Sequence, residues 1–346
     1  MIREWLARVA RRGRSWLNDS ARETYGLASL LVSLGRRRRT YVKERWAGEI
    51  DLAAAARVAV FNHFDRRGTV APFVEYYVRK LHDAGYAILF VSNSPRLAPA
   101  AIERLTPICG AILRRDNVGR DFGAYKDGLQ AIPRLERLDS LVLVNDSVYG
   151  PFHDLGVLID RMNLAEADVW GITDSWERRF HLQSFFLVFG PAALASAAFD
   201  RFWRGVHYIQ AKRWIIDRYE VGLTQALMAG GLRCRALFPY RAAVKLLGPR
   251  ARTARRRDTL SITERRFLRN VSAMIDSGNP FNPTHFFWEI LISRMGCPFL
   301  KRELLRDNPG GIPGLQRWEQ VVRSVSKYDT DLIVRDLETS LRGRIV

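Results

Sequence analysis

Four short apolar runs, at residues 58–62, 87–92, 111–114 and 140–145, constrain this chain more than any other feature. Runs of four to six residues suit buried strands, and the stretches between them read as helices at 70–84, 98–105 and 122–132. The first of these carries Phe73, Tyr76, Tyr77, Val78 and Leu81 at near-helical spacing. Repeated strand–helix units with right-handed crossovers predict an α/β fold, Rossmann-like, with a mostly parallel sheet flanked by helices. Beyond Pro151 the pattern continues, with strands expected at 167–173, 182–189 and 232–238 and helices at 192–204 and 219–229. Gly230 and Gly231 supply left-handed backbone to end the last of these helices.

Ligands of an open parallel sheet sit beyond the carboxyl ends of its strands, so the polar residues after each run are where function should show. Asn62, His63 and Asp65 follow the first strand, and Ser92 and Asn93 the second. Asp116 and Asn117 follow the third, and Asn145, Asp146 and Ser147 the fourth. Each is also an ordinary turn or cap residue. The segment DNVGRDFGAYKDG, residues 116–128, is the strongest element. Gly119 and Gly123 would allow a close backbone approach, a helix starting near Phe122 would aim its amides at a diphosphate, and Arg120 and Lys126 add positive charge. The competing account is a plain loop entering a helix, with Asp121 as N-cap. Gln183 and Ser184 interrupt an apolar strand, where a ligand or a neighbouring protein group must satisfy them. Tyr149 is an aromatic that could stack on a ligand, unless it packs in the core.

The chain carries a net charge of +19 in 346 residues, which calls for an acidic partner. Up to Trp46, twelve Lys or Arg face four acids, interleaved with Trp5, Trp16 and several leucines. This leader, residues 1–50, reads as a basic amphipathic helix, either lying on an anionic membrane surface or packed as a wet helix on the domain. A second basic block, 241–257, has seven basic residues and no acid, and its Pro and Gly suggest a mobile linker. No reader motif for nucleic acid accompanies the charge. Three separate cysteines and the lack of a membrane-spanning run point to a reducing compartment, so the expectation is a cytoplasmic protein at the inner face of the cell membrane.

The strings FNHFD (61–65), DNVGRDFGAYKDGL, LVNDSVYGPF, HLQSFFLVF (181–189) and NPTHFFWEILISRMGCPFLKRELLRDNP (282–309) resemble the rhamnan synthesis protein F family. The resemblance covers roughly residues 55–309 and implies a GT-A-like glycosyltransferase of polysaccharide or O-antigen assembly. It further implies dTDP-L-rhamnose as donor and a lipid-linked glycan as acceptor. Under it the strand-end rim (His63, Asp65, Asn93, Asn117, Gly119, Arg120, Asp121, Lys126, Asn145, Asp146, Ser147) becomes a nucleotide-sugar site, and Tyr149, Gln183 and Ser184 face the acceptor. Such transferases place a carboxylate pair against the diphosphate to hold a divalent metal. Only Asp146 stands for that pair here, as the ligand of Mg²⁺ or Mn²⁺ if either is used. The segment YEVGLTQALMAGGLR (219–233) resembles the helix that carries the catalytic base of inverting enzymes. Glu220 is the candidate, Asp217 the alternative, and a mere helix-dipole role the competing account.

The expected organisation is therefore a leader to residue 50, a transferase domain over 51–240, a basic linker over 241–260 and a C-terminal helical segment over 261–346. The alternative function is a non-catalytic carbohydrate-binding or assembly subunit that kept the fold and lost the metal pair.

Overall fold

The structure, a computed structural model, describes residues 41–253 and 260–341, and of the leader before them only Thr24, Ala28 and Leu31. The helix expected over the leader otherwise lies outside the described residues. Its last part is corrected: Val42–Ala47 forms an edge strand, β1, antiparallel to β4 (Cys109–Arg115). Its outward residues are charged, and Glu44 pairs with Arg114 at 2.7 Å, which suits a sheet edge.

The main strands are β2 (Arg57–His63), β3 (Ala87–Ser92), β4 and β5 (Ser140–Asn145), all mutually parallel. Helices α1 (Pro72–Asp83), α2 (Pro99–Leu105) and α3 (Arg120–Ala131) make the crossovers. After the two-residue β6 (Val148–Tyr149) come β7 (Val169–Ser175), β8 (His181–Leu182), β9 (Phe186–Phe189) and β10 (Cys234–Phe238). The order is β1-β4-β3-β2-β5-β9-β7-β10. This is the expected α/β arrangement, a mostly parallel sheet flanked by helices. The strand expected over 182–189 splits in two, and β9 runs antiparallel between β5 and β7.

Alternation along the strands explains why both faces are covered. Ala59, Phe61, Ile88, Phe90, Val142 and Val144 face the side packed by α1 and the C-terminal helices. Their neighbours Val58, Val60, Leu89, Val91, Leu141 and Leu143 face the side packed by α3, Ala197–Gly205 and α4 (Val221–Ala229). The chain leaves β2 toward β3 and returns on its other flank as β5. The crevice at this reversal is where an open parallel sheet seats its ligands.

Two further expectations change. The block read as a mobile linker is helix α5 (Tyr240–Thr253), in which Ala243 and Leu247 are buried against the core, while 254–259 lie outside the described residues. Its apolar positions Ala243 and Leu247 lie four apart on one face, a helical signal that the surrounding arginines obscured. The C-terminal segment shares the sheet's core through Trp288, Leu291, Leu304 and Ile333. No helix among the described residues is long and apolar enough to cross a membrane.

Candidate active site

Asn62 and Asn145 lie at the carboxyl ends of β2 and β5, and both donate their amides to the carboxylate of Asp121, at 2.8 and 3.3 Å. Asp121 lies in the first turn of α3, but it does not cap that helix. Gly119 occupies the cap position with φ +82°, so the N-cap account is corrected. Asn93, after β3, donates to Asn62 Oδ1 at 3.1 Å and is itself held by Arg115 at 2.6 Å. Arg115 is fully buried and pairs with Asp127 at 2.6 Å. A continuous polar chain therefore runs from Asp127 through Arg115, Asn93 and Asn62 to Asp121.

Two further carboxylates, Asp146 and Glu220, lie near enough to act on the charge of Asp121. Burial, reinforced by the charges of Asp146 and Glu220, pushes Asp121 up to about 6. Burial likewise lifts Asp146 to about 6, against the pull of Arg302. Both folded values exceed the usual carboxylate range, so the folded form binds more protons than the unfolded one between roughly pH 4 and 6. The contribution of these two groups to stability is thus greatest in acid and falls as pH rises through that window. The crevice stores this unfavourable charge at neutral pH, as functional sites often do.

The C-terminal segment supplies two cations that the sequence reading did not single out. Leu300 and Lys301 form β11, antiparallel to β6, with Lys301 opposite Val148. This ladder carries Lys301 to the end of β5, where Nζ donates to Ser147 Oγ at 3.3 Å and lies 4.1 Å from the centre of the Phe185 ring. Burial presses Lys301 down to about 8, against the attraction of Glu220, Glu303 and Asp121. Arg302 donates to the Asp146 carbonyl at 2.9 Å and to its carboxylate at 3.4 Å, and binds Asp336 at 3.0 Å. Burial works against its charge, yet Asp146 and Asp336 hold it above its ordinary value. The signal was present as the Lys-Arg pair inside the string that matched the family. What placed it was a ladder spanning about 150 residues, which local pattern does not reveal.

Glu220 does not open a helix. It closes a π-helical turn, Ile216–Glu220, between Lys212–Ile215 and α4, so the helix-dipole account does not apply to it. Such turns inside helices often mark functional positions. Its Oε1 accepts from the Ser184 N–H at 2.9 Å and Oγ at 2.8 Å, which fixes the carboxylate at the crevice wall. Asp217 faces outward and pairs with Arg178.

Several other expected contacts are committed elsewhere. Asp65 accepts from Arg67, Thr69 and the Thr69 hydroxyl, which folds its own loop. Burial opposes its charge, but those N–H groups hold it below its ordinary value. His63 is fully buried, bonded to Ser92 Oγ at 3.0 Å, and burial lowers it to about 4, so it is neutral at physiological pH. Tyr149 is corrected from an acceptor contact to a core residue: it is 0% exposed and donates to Asp336 at 2.7 Å. Gln183 bonds Thr173 at 2.7 Å and Asn282 at 3.4 Å, tying β7 to the C-terminal segment. Lys126 donates to the Arg204 and Val206 carbonyls on the far side of α3. Gly119 and Gly123 make room for the protein itself. A Cβ at Gly123 would lie 2.4 Å from the Val118 carbonyl oxygen, and one at Gly119 would lie 3.1 Å from Tyr208. Asn117 is exposed in the loop before α3 and Arg120 is exposed at its first residue, where it donates to the Gln210 carbonyl at 3.2 Å. A cavity of about 1120 Å³ opens behind α3, but of the candidate residues only Lys126 lines it.

The donors expected beside a divalent metal are engaged by the protein itself. Asn145 Oδ1 already accepts from Ser147, while its amide is donated to Asp121. Asp146 has a guanidinium as counter-ion, and a second cation there would lie beside it. Among the described residues no three His, Cys, Asp or Glu side chains are grouped to hold a metal ion.

Against known proteins, the family described as Rhamnan synthesis protein F matches residues 88–247. Virulence protein VirA of Vibrio anguillarum is 32% identical over 294 residues, covering 76% of this chain and 88% of that protein. The chain belongs to the rhamnan synthesis protein F family. A protein of Sinorhizobium fredii, y4gN, is 33% identical over 159 residues, covering 44% of this chain and 41% of its own. Among solved structures, galactosyltransferase LgtC, in complex with donor and acceptor sugar analogs, aligns at TM-score 0.37 and 12% identity over 83% of this chain and 100% of that one. S. aureus TarS 1–349 in complex with UDP aligns at 0.33 and 11%, over 84% and 92%.

Proposed function

We propose that this member of the rhamnan synthesis protein F family is an inverting glycosyltransferase. It moves rhamnose or a related sugar from a nucleotide sugar, dTDP-L-rhamnose, to a growing lipid-linked polysaccharide. The observation that carries the reading is the convergence of Asn62, Asp121, Asn145, Asp146, Glu220 and Lys301 at the strand reversal between β2 and β5. The donor lies over the strand ends, with Asp121 and the amides around it facing its hydroxyls. Glu220 takes the acceptor's proton as its oxygen attacks the anomeric carbon, and the nucleoside diphosphate leaves from the opposite side.

A ligand that binds only the folded state must raise the melting midpoint, so a panel of nucleotide sugars identifies the donor directly. The dTDP-sugar should give the largest rise, and Asp121→Ala should abolish most of it. An unchanged midpoint across the whole panel would remove the transferase reading.

The arginines of the leader suit an anionic membrane surface, where each basic residue contributes about 1 kcal/mol. Replacing Arg37 and Arg38 by Gln should therefore weaken binding to phosphatidylserine vesicles by about thirtyfold. Equal sedimentation of both proteins with the vesicles would place attachment elsewhere, with the basic face of α5 next in line.

A further inference from the structure

We propose that Lys301 seats the diphosphate of the donor and does the work of a divalent metal, while Arg302 neutralises Asp146. The inference rests on the transferase reading and deepens it by naming the group that binds and discharges the leaving phosphate.

Lys301 is the cation of the crevice whose charge is unspent. An ammonium has three donors, and the one hydrogen bond it makes is to the Ser147 hydroxyl. No carboxylate comes within ion-pair distance of it among the described residues, although Asp121, Glu220 and Glu303 are near enough to act on its charge. Its neighbour behaves differently. Arg302 is saturated by Asp146, Asp336 and the Asp146 carbonyl, and its guanidinium stacks 4.6 Å from the centre of the Phe73 ring. The two residues thus divide the labour. Arg302 cancels the carboxylate that would otherwise repel a phosphate or recruit a metal, and Lys301 leaves two N–H donors for the phosphate itself.

The position suits the chemistry. Lys301 stands beside Ser147 at the end of β5, and Glu220 stands across the crevice on the π-helical turn. As the acceptor oxygen bonds to the anomeric carbon, the bond from that carbon to the β-phosphate oxygen breaks. The electron pair departs with the nucleoside diphosphate, and the acceptor's proton passes to Glu220. Negative charge grows on the departing oxygen, and a preorganised ammonium offsets it with no other co-reactant. The Phe185 ring beneath the ammonium excludes water on one side, which strengthens that interaction.

The test is calorimetric titration of dTDP, or of UDP where dTDP does not bind, into the full chain, in EDTA and in Mg²⁺. The affinities in the two buffers should agree within about twofold. Lys301→Met should weaken the nucleoside diphosphate by about ten- to a hundredfold, the size of a lost charged hydrogen bond, and leave thymidine or uridine binding unchanged. Lys301→Arg should restore part of the loss. Lys301→Gln serves if the Met variant does not fold, and the EDTA comparison needs no variant. Binding that requires Mg²⁺, or a Lys301→Met protein that binds as tightly as wild type, overturns the inference and leaves the transferase reading standing. Absence of nucleoside diphosphate and nucleotide-sugar binding under every condition overturns both.

Discussion

A Glu220→Gln protein should transfer sugar about 10²- to 10⁴-fold more slowly than wild type, with donor affinity and melting midpoint close to normal. The amide keeps the size of the carboxylate, and its remaining oxygen can still accept from the Ser184 N–H and hydroxyl, which hold Oε1 at 2.9 and 2.8 Å. What it loses is the second oxygen as a proton acceptor. The loss should appear in kcat rather than in KM, because a base acts on the proton in flight and contributes little to binding the ground state. Single-turnover transfer at saturating donor measures it. Near-normal turnover would reject Glu220 as base. Attention would then pass to Asp121, because Asp217 is spent on Arg178 and Asp65 on its own loop.

The sheet was legible because its signal is local. Apolar runs such as LVLV and ILFV announce buried strands, and the polar residues after them mark the carboxyl ends. Asn62, Asn93, Asn145 and Asp146 were found this way, and the structure joins them at one crevice. Residue type did not reveal which of those side chains face a ligand and which hold up the fold. His63 and Asp65 follow β2 as Asn62 does, yet one is buried against Ser92 and the other ties its loop. The two glycines of the 116–128 segment illustrate a different limit. Their spacing suggested room for a diphosphate, whereas the close approach they permit is to Val118 and Tyr208 of the same chain. Nonlocal pairing hid the rest. Lys301 and Arg302 reach β5 by a two-residue ladder, and Asp336 meets Tyr149 across 187 positions. The edge strand β1 was masked by its charges, since only Val42 and Trp46 pack on the core and the three residues between them are charged and exposed.

Arg115 carries the largest expected cost to stability. It is 0% exposed and holds three acceptors at once: Asp127 at 2.6 Å, Asn93 at 2.6 Å and the Val118 carbonyl at 2.7 Å. Removing one partner of such a buried pair leaves the other charge uncompensated, at a cost of about 3–5 kcal/mol, whereas replacing both together costs far less. Arg115→Met should therefore lower the melting midpoint by about 4 to 7 °C, and Arg115→Met with Asp127→Asn should recover part of it. The same substitution has a functional consequence. Asn93 orients Asn62, and Asn62 orients Asp121, so loosening Asn93 should weaken donor binding even where the protein is folded. Calorimetric titration of the nucleotide sugar below the variant's melting range separates the two effects. A variant whose midpoint falls by less than about 2 °C would show that the pair does not anchor this corner of the sheet. Full donor affinity in a destabilised variant would instead confine Arg115 to stability and detach the polar chain from the site.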